Sequence, residues 1–201
     1  MKQFDKKLLK DAFEYLGELL DKNGMQCKIC IYGGSALIFL SDFRKMSYDV
    51  DYRIIEINGN SIIDQRTKNV FSNLVFDVAD KMGFDIDWMN RAVEIFVSEN
   101  EDYSYAESFF NNALTLLTPS LECLLAMKCI AMRNSCDVGD IKYLIKKIGL
   151  TTPEEIVETV RRFFPMRQIS LERLIQIDEI CRDMANAVSS QHLAHKSCAG
   201  K

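Results

Sequence analysis

The chain has 201 residues, 48% of them hydrophobic and 27% charged, with a net charge of −4. This is ordinary globular composition, enough for one domain or one domain with a small appendage, and it lacks the bulk basic footprint that marks many nucleic-acid binders. Seven cysteines at scattered positions argue against a disulfide framework, the charged opening MKQFDKKLLKDAFEYLGELL lacks a secretory core, and no apolar run reaches the ~18 residues of a spanning helix, so the chain reads as reduced, cytoplasmic and without a membrane segment.

Leu8, Leu9, Ala12, Phe13, Leu16, Leu19 and Leu20 recur at helical spacing, so 5–22 is expected to be an amphipathic helix stopped by Asn23-Gly24. QCKICIY (26–32) reads as a short strand ending at Gly33-Gly34, followed by a two-turn helix from Ser35 to Leu40. YDVDYRII (48–55) alternates as a second strand, Asn58-Gly59-Asn60 is a turn, and 61–82 is helical. Residues 91–97 and 113–117 are candidate strands, joined by the polar stretch SENEDYSYAES. The rest reads as helices: 119–134 with Pro119 in its first turn, 137–148 closed by Gly149, one opened by the capping box Thr152-Pro153-Glu154-Glu155, and 171–187. The tail, 188–201, is expected to be disordered.

Two sets of residues carry chemistry. In the first, a strand runs into Gly33-Gly34-Ser35 and a helix. Glycine lets a ligand approach the backbone closely, and the first helical amides with the Ser35 hydroxyl can hold phosphate oxygens. Asp49 and Asp51 follow, on a strand where residues two apart face the same way, about 7 Å apart at the backbone. Such a pair can hold a divalent cation completed by phosphates and water. A common turn and a solvated acidic face would also account for these residues one at a time; their order and spacing together point to phosphoryl transfer.

In the second, the 119–134 helix sets Leu121, Leu124, Leu125 and Lys128 on one face. Lys128 either snorkels to the surface or binds phosphate as a point charge. Asp137 and Asp140 fit an N-cap and a dipole-favoured acid of the next helix.

Strand, Gly-Gly-Ser, short helix and Asp-x-Asp together resemble the signature of the polymerase-beta-like nucleotidyltransferase superfamily. FRKMSYDVDY, with Arg44 and Ser47 ahead of the acids, and FDIDWMNRAVEIF are similar to segments of its AbiEii-like and MenT-like bacterial branch. LECLLAMKCIAMRNSCDVGDIKYL resembles a block of that branch, with Leu124, Lys128, Ala131, Arg133, Asp137 and Asp140 at its positions. The likeness spans about 29–145. It implies an α+β nucleotidyltransferase fold: a small mixed sheet flanked by helices over 1–118, with a C-terminal helical portion over 119–187 packed on it. It also implies roles for Lys128 and Asp140 in catalysis and for Arg44, Arg133 and Asp137 in nucleotide binding.

The implied activity is transfer of a nucleotidyl group from a nucleoside triphosphate, with Mg²⁺ or Mn²⁺ held by Asp49 and Asp51, to an acceptor hydroxyl. The acceptor is a tRNA end, a protein side chain or a small molecule, and the setting is a toxin with a cognate antitoxin or a phage-defence pair. One departure matters: members of the superfamily carry a third carboxylate on a later strand, and ALTLL has none. Asp85, Asp87 or Asp140 would have to serve. Otherwise the chain is an impaired catalyst that binds a nucleotide or a partner protein. Cys27-x-x-Cys30 lies within a predicted strand, a poor place for a zinc or redox pair, and both histidines, His192 and His195, fall in the tail.

Overall fold

In the computed structural model the first periodic segment forms α1 (Lys6–Lys22), entered by Asp5, whose carboxylate accepts the Leu8 N–H at 2.7 Å. Residues 2–98, 100–132 and 135–198 are described. They fall into two compact units, one of Met1–Val97 with Asp102–Ser120, the other of Ser98–Glu101 with Leu121–Lys201.

The first unit is mixed α+β. Its strands are β1 (Cys27–Ile31), β2 (Val50–Ile57), β3 (Met89–Asn90), β4 (Tyr103–Phe109) and β5 (Leu114–Pro119). They form one mixed sheet in the order β3-β2-β1-β5-β4. β1 is antiparallel to β2 and parallel to β5, β3 is parallel to β2, and β4 closes an antiparallel hairpin with β5. Helices α2 (Gly33–Leu40) and α3 (Gln65–Met82) complete the unit, α3 capped by Asp64. Apolar burial drives the packing: Phe13, Leu16, Phe71, Val78, Trp88 and Leu116 are almost fully enclosed. Phe13 packs near Phe39, Trp88 and Phe109, and Tyr52 packs on Phe71.

Several expected boundaries shift. The Gly-Gly pair lies inside α2, which begins two residues earlier than the expected Ser35 start. The expected strand over 91–97 is instead a 3₁₀ turn, Ala92–Phe96, because Asn90 Oδ1 accepts the Ala92 N–H and Arg91 and Glu94 pair at i,i+3. The polar stretch after it contains β4, an edge strand whose exposed side tolerates Ser, Glu and Tyr. Thr118-Pro119 ends β5 and does not open a helix, which is where a residue without an N–H is tolerated.

The hairpin tip is strained: Phe110, Asn111 and Asn112 all take left-handed φ, at 40°, 52° and 61°. Asparagine tolerates this and phenylalanine does not. Gly17 lets the tip sit on α1, since a β-carbon there would come within 2.7 Å of Phe110 Cβ.

The second unit is helical: α4 (Leu121–Ala131), α5 (Ser135–Ile148), α6 (Pro153–Phe163) and α7 (Leu171–Cys198). α7 runs beyond the expected 171–187, into the tail expected to be disordered. α4 packs against the other three, and Leu124, Leu125, Ile141, Leu144, Ile156, Val160 and Ile177 are buried. Thr152 and Glu155 form the expected reciprocal capping box of α6. Asn100 Nδ2 donates to Arg162 O at 2.9 Å and Ser98 Oγ to Phe163 O, tying segment 98–101 to α6. Among the described residues no helix is long and apolar enough to cross a membrane.

Candidate functional site

Asp49 precedes β2 by one residue and is exposed, while Asp51 is half-buried within the strand. Val50, between them, is fully buried, and its N–H donates to Trp88 O at 2.7 Å. The alternation expected from the sequence therefore holds across the acidic pair, with the apolar side inward and the carboxylate side outward. β1 and β2 are neighbours, so the end of β1 lies beside the start of β2, and the Tyr32 N–H donates to Asp51 O at 2.9 Å.

That neighbourhood brings the glycines to the acids. Gly33 has φ +61°, and a β-carbon there would lie 3.4 Å from Asp51 Oδ2. A β-carbon at Gly34 would come within 2.8 Å of Arg44 Nε and 3.0 Å of Ser47 Oγ. Arg44 is itself held by an Nε–H bond to Met46 O at 3.1 Å, and Ser47 Oγ donates to Asp49 O at 3.0 Å. Ser47 is pinned further by paired backbone bonds to Phe4, at 2.7 and 2.9 Å. Gly33, Gly34, Arg44, Ser47 and Asp51 thus meet within a few ångströms. The absence of side chains at both glycines is what permits the approach.

Ser35 behaves differently from the expectation. Its side chain is buried and its hydroxyl donates to Tyr32 O at 2.8 Å. Its proton is spent on the first turn of α2, so any phosphate would meet the amides there; Tyr32, the N-cap, contributes no side-chain bond to them.

Lys128, Asp137 and Asp140 form a second cluster, wholly within the helical unit. Lys128 Nζ lies 2.7 Å from Asp137 Oδ1 and 2.8 Å from Asp140 Oδ2. The side chains are 15%, 17% and 3% exposed. Asp137 lies in the first turn of α5 and is not its N-cap, since α5 begins at Ser135. Two carboxylates of α5 pair with the lysine on the apolar face of α4. Arg133 lies outside the described residues.

Two residues next to Asp51 in the sheet were given no role from the sequence. Arg53, two residues beyond Asp51, shares its strand alternation and donates to the Tyr103 hydroxyl at 3.2 Å. Extending the Asp49-x-Asp51 alternation by one step would have found it. Asn90 of β3 pairs in register with Asp51; it lies in the FDIDWMNRAVEIF segment singled out by the resemblance, but no spacing marks it as the neighbour of Asp51, because the parallel pairing joins segments far apart in sequence. Asp85 and Asp87 are exposed in the turn before β3.

Among the described residues, no three His, Cys, Asp or Glu side chains gather as a metal centre. The donors at the first site are the two carboxylates, hard oxygens of the kind Mg²⁺ and Mn²⁺ accept when phosphates and water complete the sphere. Cys27 and Cys30 are both buried in β1, and burial, helped by Glu56, pushes the Cys27 thiol well above its ordinary range. It is a packing residue. A depression of about 410 Å³ lined by Asp21, Gly24, Met25, Gln26 and Asn58 lies at the other end of β1 from Gly33. The chain matches no family model, no curated protein and no solved structure.

Proposed function

We propose that the chain binds a nucleoside triphosphate with Mg²⁺ or Mn²⁺ at Gly33, Gly34, Asp49 and Asp51, and transfers its nucleotidyl group to an acceptor hydroxyl. The observation that carries this reading is the place of Gly33, where a β-carbon would lie 3.4 Å from Asp51 Oδ2, so that the amides opening α2 stand beside the acids at the start of β2. Anion-seeking amides next to cation-seeking carboxylates suit a metal polyphosphate better than either ion alone.

In this reading Asp49 and Asp51 hold the cation, which supplies charge neutralisation to the phosphates. The amides of Gly33 and Gly34 orient the β- and γ-phosphates, and Arg44, packed over Gly34, adds positive charge on that side. The acceptor oxygen bonds to the α-phosphorus, the bond to the β-phosphate oxygen breaks, pyrophosphate leaves, and the hydroxyl proton passes to water. Lys128 is given no step, because its charge is already answered by Asp137 and Asp140. The acceptors that fit are a tRNA end, a protein side chain or a small molecule, and a toxin neutralised by a cognate antitoxin is a setting consistent with them.

A second reading is a nucleotide- or partner-binding module with little catalysis. One observation favours it: the residue paired with Asp51 on β3 is an amide, Asn90, not a carboxylate. The test is incubation of purified protein with each α-³²P-labelled nucleoside triphosphate, Mg²⁺ and total tRNA, beside the Asp49→Ala/Asp51→Ala variant. Label on RNA or on the protein that vanishes in the variant supports the transferase. Nucleotide binding without transfer supports the module. Neither binding nor transfer removes both.

A further inference from the structure

The pairing of β3 with β2 places a group beside the acids that the transfer reading leaves unused. Val50 pairs with Met89 and Asp51 with Asn90. Val50 and Met89 are buried at 0% and 5%, so both turn to the core. Asp51 and Asn90 therefore share the opposite face, on strands about 4.8 Å apart. β3 is short but well anchored: Trp88 O accepts the Val50 N–H, and the Trp88 indole N–H donates to Val75 O at 3.1 Å. The Asn90 carbonyl is occupied, since Oδ1 accepts the Ala92 N–H at 3.0 Å. That bond turns the amide so that its NH₂ end is the one left to meet a ligand. The next residue, Arg91, is tied in two bonds to Glu94, at 2.7 and 2.8 Å, so its charge is already answered.

We propose that Asn90 donates its side-chain N–H to a phosphate oxygen of the ligand held at Asp49 and Asp51, and so selects a metal polyphosphate over a bare cation. The inference rests on the proposed nucleotide site and deepens it. Carboxylates attract a cation and disfavour a phosphate chain on their side of the site, away from Arg44. A neutral donor on the same face offsets that repulsion without competing for the metal. An aspartate at this position would keep the bond to Ala92 and exchange the donor for a negative charge in nearly the same volume.

Asn90→Asp and Asn90→Ala variants of the full chain test this, titrated with Mn²⁺ alone and with Mn²⁺ plus inorganic tripolyphosphate, which is independent of base preference. Free Mn²⁺ is read by its electron paramagnetic resonance signal and tripolyphosphate by calorimetry. The expected result is at least 10-fold weaker tripolyphosphate binding in both variants, with Mn²⁺ binding unchanged in Asn90→Ala and equal or tighter in Asn90→Asp. Tripolyphosphate binding within twofold of wild type in Asn90→Ala, or tighter in Asn90→Asp, overturns the proposal. The Asp49→Asn/Asp51→Asn variant separates the two claims. If it loses Mn²⁺ and tripolyphosphate binding while the Asn90 variants do not, the site stands and the role of Asn90 falls. If it binds as wild type does, the site itself is wrong and the role of Asn90 falls with it.

Discussion

A pair of acids stands in each unit of this protein, and the two pairs differ in how deeply they are buried. In the helical unit Lys128 faces Asp137 and Asp140 at 2.7 and 2.8 Å, with all three side chains less than a fifth exposed. In the α+β unit Asp49 is exposed, Asp51 stands against a glycine, and the neighbouring Asn90 offers an amide. Burial with mutual pairing makes the first cluster a fastening between α4 and α5, whereas exposure beside a bare backbone leaves the second with room for a ligand. A perturbed or conspicuous charge is evidence of function only after its partners have been counted.

The comparison breaks most directly at Lys128. Lys128→Met removes the ammonium 2.8 Å from the buried Asp140, a change of the kind that costs about 3–5 kcal/mol. Urea denaturation should show that loss, and replacing all three residues (Lys128→Met, Asp137→Asn, Asp140→Leu) should recover most of it, since removing a whole buried charge set is far milder than orphaning one member. A Lys128→Met protein of unchanged stability would mean that the cluster is not a fastening.

The converse holds at the other site. Asp49→Asn/Asp51→Asn should lower nucleotidyl transfer by roughly 100-fold or more, a size typical of losing groups that stabilise charge in the transition state. Its urea midpoint should stay close to wild type, because Asp49 is exposed and Asp51 only half-buried. Equal losses of stability and transfer would erase the distinction between the two clusters.

Two glycines sharpen it. Gly17→Ala drives a β-carbon to 2.7 Å from Phe110 Cβ, an atom fixed to a strained hairpin, and overpacking of this kind costs about 1–3 kcal/mol despite the better helix propensity of alanine. Gly34→Ala meets Arg44 Nε at 2.8 Å and Ser47 Oγ at 3.0 Å, side-chain atoms that can shift at the cost of the bonds Arg44 makes to Met46 O and Ser47 to Asp49 O, a smaller strain than a clash with the hairpin tip. Thermal melts should therefore fall further for Gly17→Ala than for Gly34→Ala, while nucleotide binding should fall only for the latter.

The smallest effect is at Glu107. Burial alone would raise its carboxyl, but Lys10 and Tyr105 bond to it and hold it below its ordinary value of 4.5. A depressed folded-state pKa contributes stability above the ordinary value, and that contribution is lost as pH falls through the folded one. Lys10 is 40% exposed, so solvent screening keeps the contribution below about 1 kcal/mol. Wild type should melt slightly above Glu107→Gln at pH 7, and the gap should narrow as the pH falls below 4.5.

Much of the fold was legible in advance where signals are local. The α1 stripe, the Asn58-Gly59 turn and the Thr152 capping box all appear where periodicity and turn chemistry put them. The edge strand β4 was not legible, because a strand bonded on one side carries polar residues that read as loop. The 3₁₀ turn was missed because the pattern of Val93, Ile95 and Val97 imitates a strand, while the side-chain bonds of Asn90 and Arg91 curl the backbone.

The sequence by itself determined the main helices, strands β1 and β2, and the local geometry of the acidic pair, since periodicity and two-residue alternation follow from backbone stereochemistry alone. Only the tertiary structure decided which charges answer one another. Lys128 meets Asp137 and Asp140 because α4 and α5 pack together, Gly33 meets Asp51 because β1 and β2 are neighbours, and Asn90 reaches the same face because β3 runs parallel beside β2. Pairing across elements depends on how apolar faces are buried against each other, and no spacing along the chain encodes that distance.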